Sequence, residues 1–154
     1  MSHKILISAC LMGQNVRYDG KHNLVDHPAL KLLQLDKRIV LACPEMLGGL
    51  PTPRAPAEII HTDKQQFVRT QSNIDVTEAF ITGAKLTLEL CLKHNIGIAL
   101  MAKNSPSCGN EQTYDGTFSK TLIKQAGVTA SLLQSNHIQI FNQTQIEEFL
   151  AALN

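Results

Sequence analysis

Three of the four cysteines stand where strand-like apolar runs end. Cys10 closes Lys4-Ile5-Leu6-Ile7-Ser8-Ala9, and Cys43 closes Arg38-Ile39-Val40-Leu41-Ala42. Cys108 follows Gly97-Ile98-Ala99-Leu100-Met101-Ala102 after the polar turn Lys103-Asn104-Ser105-Pro106-Ser107. In an open α/β sheet, ligands bind beyond the carboxyl ends of the strands, so three thiols from distant parts of the chain can meet at one site. Three soft donors at one point suit a metal ion or a cluster. The C-x-x-C spacing of zinc ribbons and thioredoxin-like redox sites is absent, so such a site has to be built by the fold. Each thiol taken singly also reads as a small core residue.

Glu45 lies two residues after Cys43 and offers a general base if it faces the same pocket; as a loop residue it reads equally as a surface charge. Asn104-Ser105-Pro106-Ser107-Cys108-Gly109 places hydroxyls beside a thiol, where they could orient water, and makes an ordinary Ser/Pro turn just as well. Arg54 and Glu58, in a Pro-rich stretch, are expected to pair with each other rather than to bind substrate. Cys91 falls on the apolar face of a helix pattern and is read as structural. His22, His27, His61, His94 and His137 lack i, i+4 partners and receive no metal role. Tyr18-Asp19-Gly20 is echoed by Tyr114-Asp115-Gly116, which reads as two similar turns. No G-x-G-x-x-G follows the first strand and there is no Walker loop, so no dinucleotide cofactor is expected.

The elements that must position these residues follow from periodicity. Strand patterns run over 5–9, 38–43, 98–102 and 138–141. Helix patterns run over 28–33, from Asp75 to about 95, over 127–133 and over 143–153. Asp26 or His27 stands near the first helix start, with Pro28 in its first turn. Asp75 and Glu78 suggest a capping pair. Val76, Phe80, Ala84, Leu88 and Cys91 share the apolar face that follows. Residues 44–58 hold four prolines and two glycines, from which no regular element is expected. Phe67-Val68-Arg69 suits a short accessory strand. The alternation predicts an α/β, three-layer Rossmann-like fold. Its sheet is mainly parallel, of four or more strands, with helices on both faces.

Length and charge narrow the partners. The 154 residues, 44% apolar, suit one domain with its own core. A net charge of +1 without a basic patch disfavours a nucleic-acid polymer and favours a small-molecule substrate. No apolar run approaches the roughly 20 residues of a membrane span. Met1-Ser2-His3-Lys4 leads straight into a strand pattern, so no signal peptide is expected. A cytoplasmic location follows, where disulfides are disfavoured.

Five ordered motifs carry a family resemblance over nearly the whole chain. They are Ile7-Ser8-Ala9-Cys10-Leu11-Met12-Gly13, Val16-Arg17-Tyr18-Asp19-Gly20, Cys43-Pro44-Glu45-Met46-Leu47-Gly48-Gly49-Leu50-Pro51-Thr52-Pro53-Arg54, Ser105-Pro106-Ser107-Cys108-Gly109 and Tyr114-Asp115-Gly116-Thr117-Phe118. Together they resemble the bacterial DUF523 family, which includes the thiouracil desulfidases. The resemblance implies one DUF523-type domain over residues 1–154, without the additional C-terminal domain of some relatives. It implies a [4Fe-4S] cluster held by three cysteines only, which by motif are Cys10, Cys43 and Cys108. Cys91 matches no motif. The family's catalytic carboxylate corresponds to Glu45, and its catalytic serine to Ser105, with Ser107 as the alternative. The implied reaction is a non-redox desulfuration of a thiolated nucleobase such as thiouracil, or a related thioamide. C=S becomes C=O, and the open iron accepts the sulfur. The competing reading is a zinc-binding or metal-free small-molecule-binding domain that uses the same cysteines.

Overall fold

Ile5, Leu6 and Ile7 give their strand no polar side, the pattern of a strand covered on both faces. In the computed structural model, which describes residues 3–153, they form β1 (Ile5–Ser8), buried along its whole length. A 3-10 turn at Ala9–Met12 and a loop lead to α1 (Pro28–Leu35), β2 (Ile39–Ala42) and α2 (Pro44–Leu47). A hairpin of β3 (Ala57–His61) and β4 (Gln66–Thr70) precedes the long helix α3 (Thr77–Lys93) and β5 (Ile98–Leu100). A second hairpin, β6 (Gln112–Tyr114) and β7 (Leu122–Lys124), is followed by α4 (Val128–Ser135) and β8 (Gln139–Phe141). A 3-10 turn at Gln143–Gln145 then enters α5 (Ile146–Ala152).

The main sheet has the order β2-β1-β5-β8 and is parallel throughout. The chain steps from β1 outward to β2, then back past β1 to β5. The strand order therefore reverses between β1 and β5, which is where open α/β sheets bind ligands. Right-handed crossovers put the helices on both faces. α3 and α4 pack together on one face. α1 and α5 meet on the other, where His27 Nε2 lies 3.4 Å from Glu147 Oε1. A smaller apolar cluster of Ile59, Val68 and Phe80 sits beneath the first hairpin.

The four core strands and the three-layer arrangement agree with the sequence pattern. Residues 44–58 do not. Pro44 stands at the first position of α2, where its missing N–H is no loss. Cys43 and Pro44 carbonyls close the turn by accepting from Leu47 and Gly48 N–H. At the far end of the same stretch, Ala57 already pairs with Thr70 in β3–β4. The expected capping pair also differs. Asp75 Oδ1 accepts from Thr77 N–H at 2.9 Å, but Glu78 closes no box and the helix starts at Thr77. His27 caps α1, its Nδ1 accepting from Ala29 N–H at 3.1 Å. The first strand pattern ends at Ser8, because Ala9 turns into the 3-10 segment.

Backbone contact between two helices sets the position of α2. A Cβ on Gly83 would lie 1.9 Å from the Pro44 carbonyl oxygen, and one on Gly48 would lie 1.9 Å from that of Ala79. Glycine inside a helix normally costs stability; here its absent side chain lets α2 lie against α3. Gly83→Ala is accordingly expected to destabilise the protein by about 1–3 kcal/mol, despite the better helix propensity of alanine. Urea denaturation checks this, and an unchanged or raised midpoint would show that the two helices can separate at no cost.

Candidate functional site

The carboxyl ends of β1, β2 and β5 open into a cavity of about 610 Å³. Cys10, Cys43 and Cys108 all line it, together with Glu45, Ser105 and Ser107. Cys10 sits in the 3-10 turn after β1, Cys43 at the start of α2, and Cys108 in the loop after β5. Cys91 lies elsewhere, 0% exposed on the inner face of α3.

Each thiol is fixed by contacts from another part of the chain. Ser8 Oγ donates to Cys108 Sγ at 3.5 Å and accepts from Ala102 N–H at 3.2 Å. Ser105 Oγ accepts from the N–H groups of Ser107 and Cys108, at 3.1 and 3.0 Å. The first N–H groups of α4, which a helix cannot pair internally, go to this same loop. Val128 donates to the Pro106 carbonyl at 2.8 Å, and Thr129 and Ala130 donate to that of Ser107 at 2.9 and 3.0 Å. Gly127 permits the approach, since a Cβ there would stand 2.6 Å from the Ser107 carbonyl carbon. Cys10 is tied through its carbonyl to Asn23 N–H at 2.9 Å, which folds the loop after it back over the cavity. Cys43 Sγ donates to the Val16 carbonyl of that loop at 3.8 Å.

The two serines differ in availability. Ser107 is 1% exposed, and its hydroxyl is paired with Thr129 Oγ1 at 2.9 Å. Ser105 uses its oxygen as an acceptor and keeps its hydroxyl hydrogen uncommitted among the described residues.

Glu45 pairs with Arg54. Arg54 Nε and Nη2 both reach Glu45 Oε2, at 2.6 and 2.5 Å. Among the described residues Glu45 Oε1 accepts no hydrogen bond. This corrects the expected Arg54–Glu58 pair. Glu58 faces the other hairpin instead, its Oε1 accepting from Gly116 and Phe118 N–H. Alternation along β3 explains the difference, because it decides which side of the strand Glu58 takes.

Burial governs the electrostatics. It pushes the Cys10 thiol up to about 11, with repulsion from Cys43 adding to it and Arg17 opposing. It pushes Cys108 up to about 12, with the Ser8 hydrogen bond opposing and Cys10, Cys43 and Glu45 adding. Cys43 is also raised, chiefly by burial. Burial raises Glu45 too, and Arg54 opposes that rise. The donor set is purely thiol, as soft metals prefer. Among the described residues, no three His, Cys, Asp or Glu side chains are arranged to hold one metal ion. Ser8, Arg54 and the Val16 carbonyl were not singled out by sequence for these roles. Their partners lie far along the chain, and only the fold selects them. The two Tyr-Asp-Gly turns are alike: Asp19 and Asp115 each accept from the N–H two residues on, and both tyrosines reach this one cavity.

A family model for 2-thiouracil desulfurase matches residues 5–145. The uncharacterized protein YbbK of Bacillus subtilis (strain 168) is 38% identical over 152 residues, spanning 95% of this chain and 99% of its own. A solved structure of the [4Fe-4S]-dependent thiouracil desulfidase TudS superimposes with a TM-score of 0.93 at 43% identity, covering 99% of this chain and 98% of that one. Among the described residues, no helix is long and apolar enough to cross a membrane.

Two outcomes follow from this geometry. Arg54→Met strands a buried carboxylate and is expected to lower stability by about 3–5 kcal/mol at neutral pH. A loss below about 1 kcal/mol in chemical denaturation would show that the pair does not hold Glu45. Burial alone pushes Cys91 from 9.0 up to about 11. A folded value raised in this way contributes stability that is complete below the unfolded value and is lost as pH rises through the folded one. The advantage of wild type over Cys91→Ala, about 1 kcal/mol near neutrality, should therefore shrink between pH 9.0 and about 11. A constant difference across that range would contradict it.

Proposed function

This chain belongs to the 2-thiouracil desulfurase family, and on that premise we propose that it replaces the sulfur of a thiolated nucleobase with oxygen at a [4Fe-4S] cluster held by Cys10, Cys43 and Cys108. The observation that carries the proposal is the convergence of three thiols, from the ends of β1, β2 and β5, on a cavity that also holds a buried carboxylate. Thiolates are the usual ligands of iron–sulfur clusters, and the similar solved structure is of a protein named as [4Fe-4S]-dependent, which favours a cluster over a single zinc ion. When bound, such a cluster supplies a soft Lewis acid with one position left open by the three thiolates.

The protein's own groups divide the remaining work. Arg54 pins Glu45 through Oε2, so Oε1 is the oxygen free to take a proton from water. Ser105 has a hydroxyl hydrogen available to orient that water, whereas Ser107 is paired with Thr129. The water oxygen replaces the exocyclic thiocarbonyl sulfur, which departs as hydrosulfide. C=S becomes C=O without gain or loss of electrons, so no redox partner is required. The Pro-rich wall from Leu50 to Ala57 bounds the cavity and limits bulk water. We place the protein in the reducing cytoplasm, in keeping with its four free cysteines, and treat residues 1–154 as one functional unit.

Reconstitution without oxygen, followed by iron and sulfide analysis, a visible spectrum and assay of 2-thiouracil conversion to uracil, tests the proposal. About four irons per chain are expected. Cys10→Ser, Cys43→Ser and Cys108→Ser should each lose them, and Cys91→Ala should keep them. Glu45→Gln should retain iron while turnover falls roughly a hundredfold or more, the contribution of a positioned base. Colourless protein, or protein holding one zinc, would sink the reading. Full activity of Glu45→Gln would remove Glu45 from it.

A further inference from the structure

The two hairpins contribute part of the cavity wall, and the turn that joins β6 to β7 has an unusual backbone. Gly116, Phe118 and Lys120 all lie in the left-handed region, at φ of 93°, 56° and 61°. Glycine enters that region freely. A bulky aromatic there is an outlier, and it persists only where its surroundings over-determine it. Here they do. Glu58 Oε1, from β3, accepts from Gly116 N–H at 3.0 Å and from Phe118 N–H at 3.1 Å. The turn also presses on β3, since a Cβ on Gly116 would stand 2.8 Å from the Ile59 carbonyl oxygen. Asp115 Oδ1 adds bonds from Thr117 N–H and Oγ1, at 3.0 and 2.6 Å. Glu58 is 8% exposed and has no ion-pair partner among the described residues. This carboxylate serves the turn alone.

Phe118 lines the cavity but belongs to neither hydrophobic cluster of the fold. It is an aromatic ring that fills no core. The other aromatic residues of the lining are otherwise placed. Phe80 is 2% exposed and packs with Ile59 and Val68. Tyr18 lies under the Arg17 guanidinium, 5.8 Å from its ring centroid. Tyr114 is an ordinary strand residue of β6. We infer that Phe118 is a specificity-determining residue that stacks on the flat heteroaromatic ring of the substrate, and that Glu58 is the positioning residue that holds it there through the turn amides. The inference rests on the proposed desulfuration for the identity of the ring. Phe118 and the three thiols line the same cavity, so a ring stacked on Phe118 can present its sulfur to the thiol-bearing part of the wall. Base–aromatic stacking is strong and tolerant of substituents, so it suits an enzyme that must grip the ring while the exocyclic atom changes.

The test compares Phe118→Gly, Glu58→Leu and Glu58→Gln with wild type in the cluster-loaded enzyme. Iron content, thermal midpoint, and KM and kcat for 2-thiouracil are measured, with calorimetric binding of uracil alongside. Glycine relieves the backbone strain at φ 56°. Phe118→Gly should therefore keep or raise the midpoint and hold its iron, yet raise KM and the uracil Kd about tenfold or more, the loss of one stack. A purely structural residue would not split stability from binding in this direction. Glu58→Leu removes the shared acceptor and should raise KM similarly. Glu58→Gln keeps an oxygen for both amides and should restore KM to within about threefold of wild type. Wild-type KM and uracil affinity in Phe118→Gly overturn the inference, as does the absence of uracil binding by wild type. Uracil binding that depends on Phe118, without sulfur release, overturns the desulfuration reading and leaves this one standing. Sulfur release with binding independent of Phe118 does the reverse.

Discussion

Arg54 commits all five of its N–H donors inside the cavity wall. Nε and Nη2 reach Glu45, Nη2 also reaches the Val16 carbonyl, and Nη1 reaches the Pro51 carbonyl and the Thr52 hydroxyl. The Arg54 N–H in turn donates to the Tyr18 carbonyl at 2.8 Å. One guanidinium thereby joins the loop after Cys10, the first turn after Cys43 and the Pro-rich wall. A lysine would place one charge but could not span this set, because only the planar fork presents donors in several fixed directions. The pair is costly to desolvate. Its value lies in register: it keeps Glu45 in one orientation, with one oxygen tied and the other free.

Much of the remaining positioning is done by close backbone contact between elements. α2 rests on α3 through Gly48 and Gly83, and α4 presents its first amides to the Cys108 loop over Gly127. Both contacts bring a thiol-bearing turn against a helix packed on the sheet, α3 in one case and α4 in the other. The turns can therefore be irregular, as a site with diverging side chains requires, while their anchors remain rigid. The hairpins are joined through a side chain instead, with Glu58 in β3 gathering the amides of the turn after β6.

The parts of this arrangement visible in sequence are those with a local signature. Apolar runs located β1, β2, β5 and β8, and their ends located Cys10, Cys43 and Cys108. Glu45 was visible by adjacency to Cys43. The one-turn helix α2 was hidden because proline counts argue against helix, although Pro44 falls at the one helical position that tolerates it. The strands of β6–β7 are three residues each and include Gln112 and Lys124, too short and too polar to register a period of two. The choice of Arg54 by Glu45, and of Cys108 by Ser8 across 100 positions, is a property of the packed fold alone. Spacing did not distinguish a cluster from a zinc ion. Five motifs shared with a family did, and the convergence of the thiols on one cavity agrees with them.

The charge balance of the cavity gives that agreement a physical basis. Cys10, Cys43 and Cys108 are each pushed upward by burial, and each further by neighbouring acidic groups. Left to themselves, three thiolates and the Glu45 carboxylate could not share this desolvated space. Arg17 and Arg54 oppose the trend at Cys10 and Cys43 but do not reverse it. Burial therefore favours the protonated thiols over three mutually repelling thiolates. Thiolates become favourable there only when a strongly positive body enters with them, because a bound cation inverts the local acid–base preference. Binding must then release the thiol protons. The same burial that favours neutral thiols makes each thiolate a tightly held ligand beside a cation.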